Sequence, residues 1–262
     1  MPRLDFKDWA VEHLRCTAFI IPGTQQPVDH WWMKLAGADP EQITSNPRLG
    51  ASQAVGKFGP GTLVVSTQPD RVELFLGPVP TEAASIQGQV ATEPKPPSIG
   101  GAVEAFDVFS ELSKRWLAFD DIPNVARLAL GGALSHQEED KRAAYLRLHD
   151  YVPVQVDPES SDFLYQINLP TQSRSGIEGL VINRLSKWAV TMFKLITLIV
   201  PSGSFAQDLK TTIALRCEID INTAQEHQGE LPKDRLAQIM DELVIYGRDL
   251  ITDGVVNREA AL

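Results

Sequence analysis

The sequence predicts an α+β protein whose strands form antiparallel sheets, with long helices packed on one face. Two observations support this class. Segments in which apolar residues alternate are interspersed with segments in which they recur every three or four residues. The order of these segments is β-α-β-β-β-α, and it occurs twice along the 262 residues. We therefore expect an internal duplication, with two similar halves over 1–122 and 123–262 packed tightly together.

The first half contains four segments with the alternation of half-buried strands. These predicted strands are 13–21, 51–58, 61–67 and 71–77. Helical spacing predicts helices over 5–12, 28–36 and 103–118. We expect a loop over 38–48 and a longer, proline-rich loop over 78–101, because both stretches carry helix- and strand-breaking residues.

The second half repeats the order with predicted strands over 125–134, 163–169 and 211–222. Ser135 and Glu138 have the spacing of a capping box, which predicts a helix from there to about His149. Pro232 suits the first turn of a last helix, which Gly254 can end. Residues 180–200 fit either period, and we favour a strand because the flanking segments are β-like.

Composition excludes several classes of protein. With 24 Lys and Arg against 34 Asp and Glu, the net charge is −10, which disfavours a dedicated non-specific DNA-binding protein. The longest apolar stretch, 188–200, is too short for a membrane span and is interrupted by Lys194. Cys16 and Cys217 do not form a metal-binding pair, and two buried thiols are expected, with a disulfide between them as the alternative. With no secretory signal at the N-terminus, we expect a cytoplasmic protein.

A basic segment stands out in the acidic second half. Between 163 and 207 the only acid is Glu178, against four basic residues. The run Asn183-Arg184-Leu185-Ser186-Lys187-Trp188 combines cations, hydrogen-bonding groups and an aromatic ring. Such a set can bind a phosphate, a carboxylate or a nucleic-acid backbone. We expect a binding surface within 174–194 formed by Asn183, Arg184, Ser186, Lys187 and Trp188. The alternative is that these cations balance acids across a sheet.

The pair Trp31-Trp32 is a second candidate. Successive helical residues point about 100° apart, so the two indoles cannot share one narrow stripe. One of them is then expected at a pocket rim or a subunit contact, unless both belong to the core.

Two carboxylates give the only indication of catalysis. Glu218 and Asp220 alternate on the strand over 211–222, so they share a face and could hold Mg²⁺ or act as an acid/base pair. Arg216 shares that face and would pair with Glu218 instead. The five histidines lack the spacing of metal ligands, and the common phosphate, dinucleotide and hydrolase signatures are absent. No cofactor or metal is therefore expected.

Three strings together resemble a scattered group of bacterial proteins of about 260 residues with no known activity. They are Trp31-Trp32 followed by Leu35-Ala36-Gly37, Gln68-Pro69-Asp70-Arg71, and Asn183 to Trp188. The resemblance spans most of the chain and implies a bacterial cytosolic origin. It implies no catalytic residue.

These observations favour a non-catalytic binding module that contacts a macromolecular or anionic partner through a polar strand face. A protein partner or a homo-oligomer, such as a homodimer, is the first expectation, followed by an anionic ligand or nucleic acid bound through 174–194. The alternatives are an enzyme that uses Glu218 and Asp220, and a small-ligand sensor with a pocket lined by Trp31 or Trp32.

Overall fold

The computed structural model describes residues 3–21, 28–79, 96–199, 206–227 and 229–255. Within these ranges the chain is an α+β protein with one antiparallel sheet of ten strands and four α-helices. The first half contains β1 Ala10–Ile20, α1 Val28–Ala36, β2 Gln42–Asn46, β3 Ala51–Phe58, β4 Gly61–Gln68, β5 Arg71–Pro78 and α2 Ala102–Leu117. The second half contains β6 Val125–Glu138, α3 Lys141–Leu148, β7 Leu164–Asn168, β8 Thr171–Gln172, β9 Val181–Ile199, β10 Ala206–Thr223 and α4 Leu236–Asp253.

One sheet runs through both halves of the chain. The strand order is β2-β3-β4-β5-β1-β6-β10-β9-β7, and β8 also pairs with β9. The first strand of each half meets the other at the centre, where Leu14 of β1 lies opposite Gly132 of β6 and Cys16 lies opposite Leu130. The described residues of 1–122 and of 123–262 therefore share one sheet and one hydrophobic core.

Strand alternation divides the sheet into two unlike faces. On β1, Leu14 and Cys16 are buried among the helices, whereas Arg15 and Thr17 point to the opposite side. We call these sides the helix-covered face and the open face.

The helix-covered face is packed with aromatic rings. All five tryptophans, Trp9, Trp31, Trp32, Trp116 and Trp188, are no more than 1% exposed. Trp188 stacks on Tyr151 with 4.8 Å between ring centroids and meets Trp9 edge-on at 6.0 Å. These contacts place β9 and the segment after α3 in the same core.

Several predicted elements are confirmed. Helix α1 has the predicted bounds, and the segment over 180–200 is the strand β9, which pairs with β10 from Ile182 to Ile199. The polar and apolar faces predicted for 211–222 are observed from Leu215 to Ile221, where buried and partly exposed residues alternate. Before that stretch Thr212 and Ala214 are buried and Ile213 is partly exposed. Both cysteines are free and buried, and burial raises the pKa of Cys16 to about 12.

Other predicted elements are wrong. The expected helix from Ser135 does not form, because β6 continues to Glu138, where it still pairs with Ile213 of β10. Asp140 caps α3 instead, accepting a hydrogen bond of 2.7 Å from the backbone N–H of Ala143. The expected first helix shrinks to one 3₁₀ turn over 6–8, since β1 begins at Ala10.

Two loop predictions are also affected. The loop expected over 38–48 contains the exposed edge strand β2, which pairs with β3. Of the proline-rich loop expected over 78–101, residues 80–95 lie outside the described residues. Ile99, near its end, is buried in the core. In the described part of the chain, no helix is long and apolar enough to cross a membrane.

Candidate binding site on the open face

The open face is crossed by rows of polar side chains, because cross-strand neighbours share a face. One row runs from Thr44 on β2 to Asn183 on β9. Its members, in order, are Thr44, Gln53, Ser66, Glu73, Thr17, Ala129, Asn222 and Asn183. Only Ala129 in this row lacks a polar side chain.

Small residues at the centre of the sheet form a furrow in this face. Along β6 the outward positions are Ala129, Gly131 and Ala133, between the longer side chains of β1 and β10. A Cβ built on Gly131 would lie 3.1 Å from Nη2 of Arg15, so the Arg15 guanidinium lies against this glycine. Arg15 and Asp220, which flank Gly131 in register, line cavities on both sides of this point.

The first of these cavities has a volume of about 280 Å³ and is rich in arginine. Arg71 of β5, Phe19 of β1 and Arg127 of β6 lie directly opposite one another across three neighbouring strands. Arg15 lies on the same side of β1 as Phe19, with Thr17 between them, and it also lines the cavity. Glu73 of β5 lines the cavity as well. We call this space the arginine cavity.

The arginines of this cavity are positioned by neutral groups. Arg71 donates to the Gln68 side-chain oxygen at 2.8 Å. Arg127 donates to the Thr223 carbonyl at 3.1 Å and lies over the Phe19 ring, 4.8 Å from its centroid. These contacts hold each guanidinium in place without neutralising its charge.

Arg15 has the nearest carboxylate of the three. Its Nε lies 3.8 Å from Glu73, whose other described contact is a hydrogen bond of 3.3 Å from the Thr17 hydroxyl. The side chain of Arg15 as a whole is 43% exposed, but the Nε atom that faces Glu73 is buried and makes no hydrogen bond. The described contacts of Arg15 therefore leave its hydrogen-bond donor capacity unused.

The second cavity, on the other side of Arg15, has a volume of about 490 Å³ and mixed charge. It is lined by acceptors and donors, among them Asp220, Glu218, Lys187 and Gln166. Leu185 adds an apolar wall. We call it the lysine cavity.

An ion-pair ladder crosses the floor of the lysine cavity. Glu12 accepts hydrogen bonds from Arg216, with Nε 2.9 Å from Oε2, and Arg216 also pairs with Glu218. Lys187 approaches Glu218 at 3.4 Å from the other side. Burial alone would raise the pKa of Glu218, but these two cations outweigh it and lower the pKa.

Asp220 has no such cationic partner among the described residues. It accepts a hydrogen bond of 2.9 Å from Asn222, which accepts one of 3.2 Å from Asn183. This chain of amides fixes the carboxylate of Asp220 at the boundary of the two cavities while leaving acceptor capacity free.

The two cavities together are cationic. Five basic side chains line them, Arg15, Arg71, Arg127, Lys187 and Arg216, against the three acidic side chains Glu73, Glu218 and Asp220. Glu12, which pairs with Arg216, is a fourth acid, so the formal charge is +1, in contrast with −10 for the whole chain. A third depression of about 510 Å³ adjoins the arginine cavity at Glu73 and continues over β2 to β5.

The surface expected from 183–188 is not formed as one patch. Asn183 and Lys187 lie on the open face, but Arg184, Ser186 and Trp188 lie on the helix-covered face and are 8%, 1% and 0% exposed. The reason is the two-residue period of β9, which sends neighbours to opposite sides. Lys187 pairs with Glu218, as the alternative interpretation anticipated.

The buried members of that run have core contacts instead. Arg184 donates to the Leu169 carbonyl at 3.0 Å and lies 4.9 Å from the centroid of the Tyr246 ring. The Trp188 indole donates to the Ser186 hydroxyl at 3.1 Å. None of these three side chains is available to a partner.

The tryptophan pair does not lie at a pocket rim. Trp31 is fully buried and meets Trp116 edge-on with 5.6 Å between centroids. The Trp32 ring is also buried and packs against Gly56, where a Cβ would lie 2.8 Å from its Cζ2 atom. The four cavities described for the chain contain no tryptophan in their walls. Both indoles belong to the core, which was the alternative interpretation.

Glu218 and Asp220 are brought together in one concave site, as alternation predicts, but with unequal surroundings. Glu218 is occupied by Arg216 and Lys187, whereas Asp220 is held by an amide. Within the described ranges, no group of three or more His, Cys, Asp or Glu side chains is arranged to hold a metal ion.

The arginine cavity was missed by the sequence analysis. Arg15, Arg71 and Arg127 are far apart in the chain and belong to no motif. Two sequence features could have indicated the cavity: the positions of these arginines on the polar sides of strands, and the glycine pair at 131–132. Which strands pair, and hence which arginines meet, is decided only in the folded sheet.

No protein-family model matches the sequence, and neither does any of the curated proteins compared with it. The class of the molecule is therefore defined by its own geometry, as an α+β protein with an open, cavity-bearing sheet face.

Proposed function

We propose that this protein is a non-catalytic binding module that takes up an anionic ligand in the arginine cavity. The observation that carries the proposal is the convergence of Arg15, Arg71 and Arg127 from three neighbouring strands on one cavity of about 280 Å³. Among the described residues, none of the three donates a hydrogen bond to a carboxylate.

The donor capacity of these side chains supports the proposal. A guanidinium carries five N–H donors. The described hydrogen bonds of Arg71 and Arg127 go to neutral oxygens and use only part of this capacity. Hydrogen bonds between a guanidinium and an anionic oxygen are stronger than neutral ones and often bidentate. An anion would therefore gain more here than the water it replaces.

The surroundings favour binding over chemistry. Glu218, the best-placed acid, is already paired with two cations that lower its pKa, so it is a poor proton donor near neutral pH. Asp220 alone, without a positioned partner acid or base, suits recognition better than proton transfer. The segment 174–194 contributes to the face through Asn183 and Lys187.

We also propose that the protein arose by an internal duplication and that it functions in a bacterial cytosol. From the central β1–β6 pair outwards, the strands of the two halves have the same order. The first strand of each half pairs with the last strand of that half, and the middle strands follow in reverse order. This symmetry supports an internal duplication. Two free, buried thiols are consistent with a reducing bacterial cytosol. Homodimer formation stays a prediction, for which light scattering after gel filtration is the direct test.

The proposal is tested by titrating the full chain with inorganic phosphate in a calorimeter at low ionic strength. The double variant Arg71→Ala/Arg127→Ala should weaken binding at least tenfold, since each charge-assisted hydrogen bond contributes about 1.5–3 kcal/mol. Arg142→Ala is the matched control, because Arg142 is an exposed arginine on α3 whose described partner is Glu159. It should bind phosphate like the wild type.

Two results would overturn the proposal. One is a wild-type protein that does not bind phosphate. The other is equal affinity in the wild type, the double variant and the control, which would place the bound anion elsewhere. Thermal unfolding of each variant, followed by circular dichroism, verifies that the fold is retained.

A further inference from the structure

The two cavities of the open face offer different chemistry at a common boundary. Arg15 and Asp220 line both, and they lie on either side of Gly131 in a single cross-strand row. Adjacent strands lie about 4.8 Å apart, so the backbones that carry Arg15 and Asp220 are roughly 10 Å apart. Because the Arg15 guanidinium lies against Gly131, it is only about one strand spacing from the backbone of Asp220, a distance that one sugar ring with its hydroxyl groups covers.

Three arginines make donors predominate in the arginine cavity, although Glu73 and Asp220 also line it, whereas the lysine cavity has a more even mixture of donors and acceptors. Asp220 has free acceptor capacity, Gln166 can donate and accept, and Lys187 donates. A hydroxyl group also donates and accepts, so this mixture suits a polyhydroxylated molecule. The apolar wall at Leu185 suits the C–H surface of such a ring.

We infer that the ligand is a phosphomonoester of a polyhydroxylated small molecule, such as a sugar phosphate. This inference rests on the proposed function, and it assigns the phosphate to the arginine cavity and the hydroxyl-bearing body to the lysine cavity. The phosphate accepts hydrogen bonds from Arg71 and Arg127, and a hydroxyl donates to Asp220 across Gly131. The two volumes, about 280 and 490 Å³, lie together within the ~300–1,000 Å³ of small-molecule sites.

The carboxylates of the face argue against a longer polyanion. A nucleic acid is bound by cations spaced along its backbone. Here the carboxylates of Glu73 and Asp220 line the arginine cavity itself, and Glu218 follows in the lysine cavity. A chain of phosphates that continued from the arginine cavity past Glu73 or past Asp220 would meet further negative charge, whereas a single terminal phosphate could stay beside Arg71 and Arg127.

The test compares inorganic phosphate with glucose 6-phosphate, ribose 5-phosphate and glycerol 3-phosphate by calorimetry on the full chain. We expect at least one of the three esters to bind the wild type tenfold or more tightly than phosphate. Asp220→Asn should remove this advantage, while its affinity for phosphate stays equal or rises because a negative charge is lost. Arg71→Ala/Arg127→Ala should weaken phosphate and esters alike, and Arg142→Ala should change neither.

The outcomes separate the two levels of the proposal. If phosphate binds through Arg71 and Arg127 but no ester binds more tightly, the sugar-phosphate inference is overturned and the proposed function stands. If phosphate does not bind, both are overturned. Tighter binding of a 12-nucleotide RNA that competes with phosphate would also overturn the inference.

A second variant protects the test from a failure of folding. Gln166 lies on the edge strand β7, where substitution by alanine disturbs no core contact. Gln166→Ala should lower the affinity for the preferred ester severalfold without altering that for phosphate. An unchanged ester affinity in both Gln166→Ala and a folded Asp220→Asn would overturn the placement of the hydroxyl groups.

Discussion

The two faces of the sheet are built from the same strands and differ in almost every physical respect. On the helix-covered face, Trp9, Tyr151 and Trp188 pack against one another out of contact with water. On the open face, a furrow along β6 separates charged side chains that are partly exposed. One face therefore buries most of the large apolar side chains, and the other leaves charged side chains partly exposed to water.

Neighbouring residues illustrate this difference. Lys187 and Trp188 are adjacent in sequence, and so are Gly131 and Gly132, but each pair is divided between the two faces. Substitutions at these positions compare the faces while sequence position, strand and local backbone stay nearly constant.

The largest effect is expected from Trp188→Ala. Removal of this fully buried ring leaves a cavity beside Trp9 and Tyr151 and should lower the free energy of unfolding by about 3–5 kcal/mol. Lys187→Ala removes a side chain that is 39% exposed and a screened ion pair, so its cost should stay below about 1 kcal/mol. Urea denaturation measures both, and similar losses would contradict the division of β9 between the faces.

An intermediate effect is expected at the glycine pair. A Cβ at Gly132 would lie 2.8 Å from Leu14 Cδ2 and 3.1 Å from the His13 carbonyl oxygen. Gly132→Ala should therefore cost about 1–3 kcal/mol through overpacking of the helix-covered face. The same urea series gives the value, and a neutral substitution would show that the core can yield at this point.

Gly131→Ala is the matched variant on the open face. Its nearest neighbours are atoms of the mobile end of Arg15, at 3.1 and 3.3 Å, which can move aside. Its stability should change by less than about 1 kcal/mol, but its phosphate affinity should change because Arg15 is displaced from the boundary of the cavities. A change in stability as large as that of Gly132→Ala would be evidence against an open furrow.

The smallest effect concerns acid sensitivity, for which one carboxylate on each face provides the comparison. Burial alone would raise the pKa of Glu138 on the helix-covered face, but the hydrogen bonds from His136 and Arg147 outweigh burial and lower it. A carboxyl group with a lowered pKa stabilises the fold above its ordinary value of 4.5, and this contribution is lost as the pH falls through the folded-state pKa.

Glu138→Gln should therefore reduce stability by about 1 kcal/mol at pH 7, the size of one hydrogen bond, and reduce the further loss between pH 5 and pH 3. Glu218→Gln should do the same to a smaller extent, because Glu218 is more exposed and its ion pairs are screened. Urea midpoints measured from pH 7 to pH 3 provide the check. An acid profile that Glu138→Gln leaves unchanged would show that the pairing with Arg147 and His136 adds no stability.

Local patterns were sufficient for much of the secondary structure. Alternation from Leu215 to Ile221 identified both faces of β10, and periodicity from Val28 to Ala36 identified α1. The helix expected from Ser135 failed because long-range pairing with β10 extends β6 and outweighs a local capping signal. The short run from Asn183 to Trp188 failed as a surface because its composition does not reveal which alternate residues the helices will cover.

The sequence by itself determined an acidic α+β chain, the alternation of its central strands and the side-by-side placement of Glu218 and Asp220 on one strand face. These properties depend on residues close together in the chain, so spacing alone reveals them. Only the tertiary structure decided that both halves share one sheet and that Arg15, Arg71 and Arg127 converge beside Phe19. Convergence of that kind depends on which strands pair and on which side the helices pack, and both are set by burial of the whole apolar surface at once.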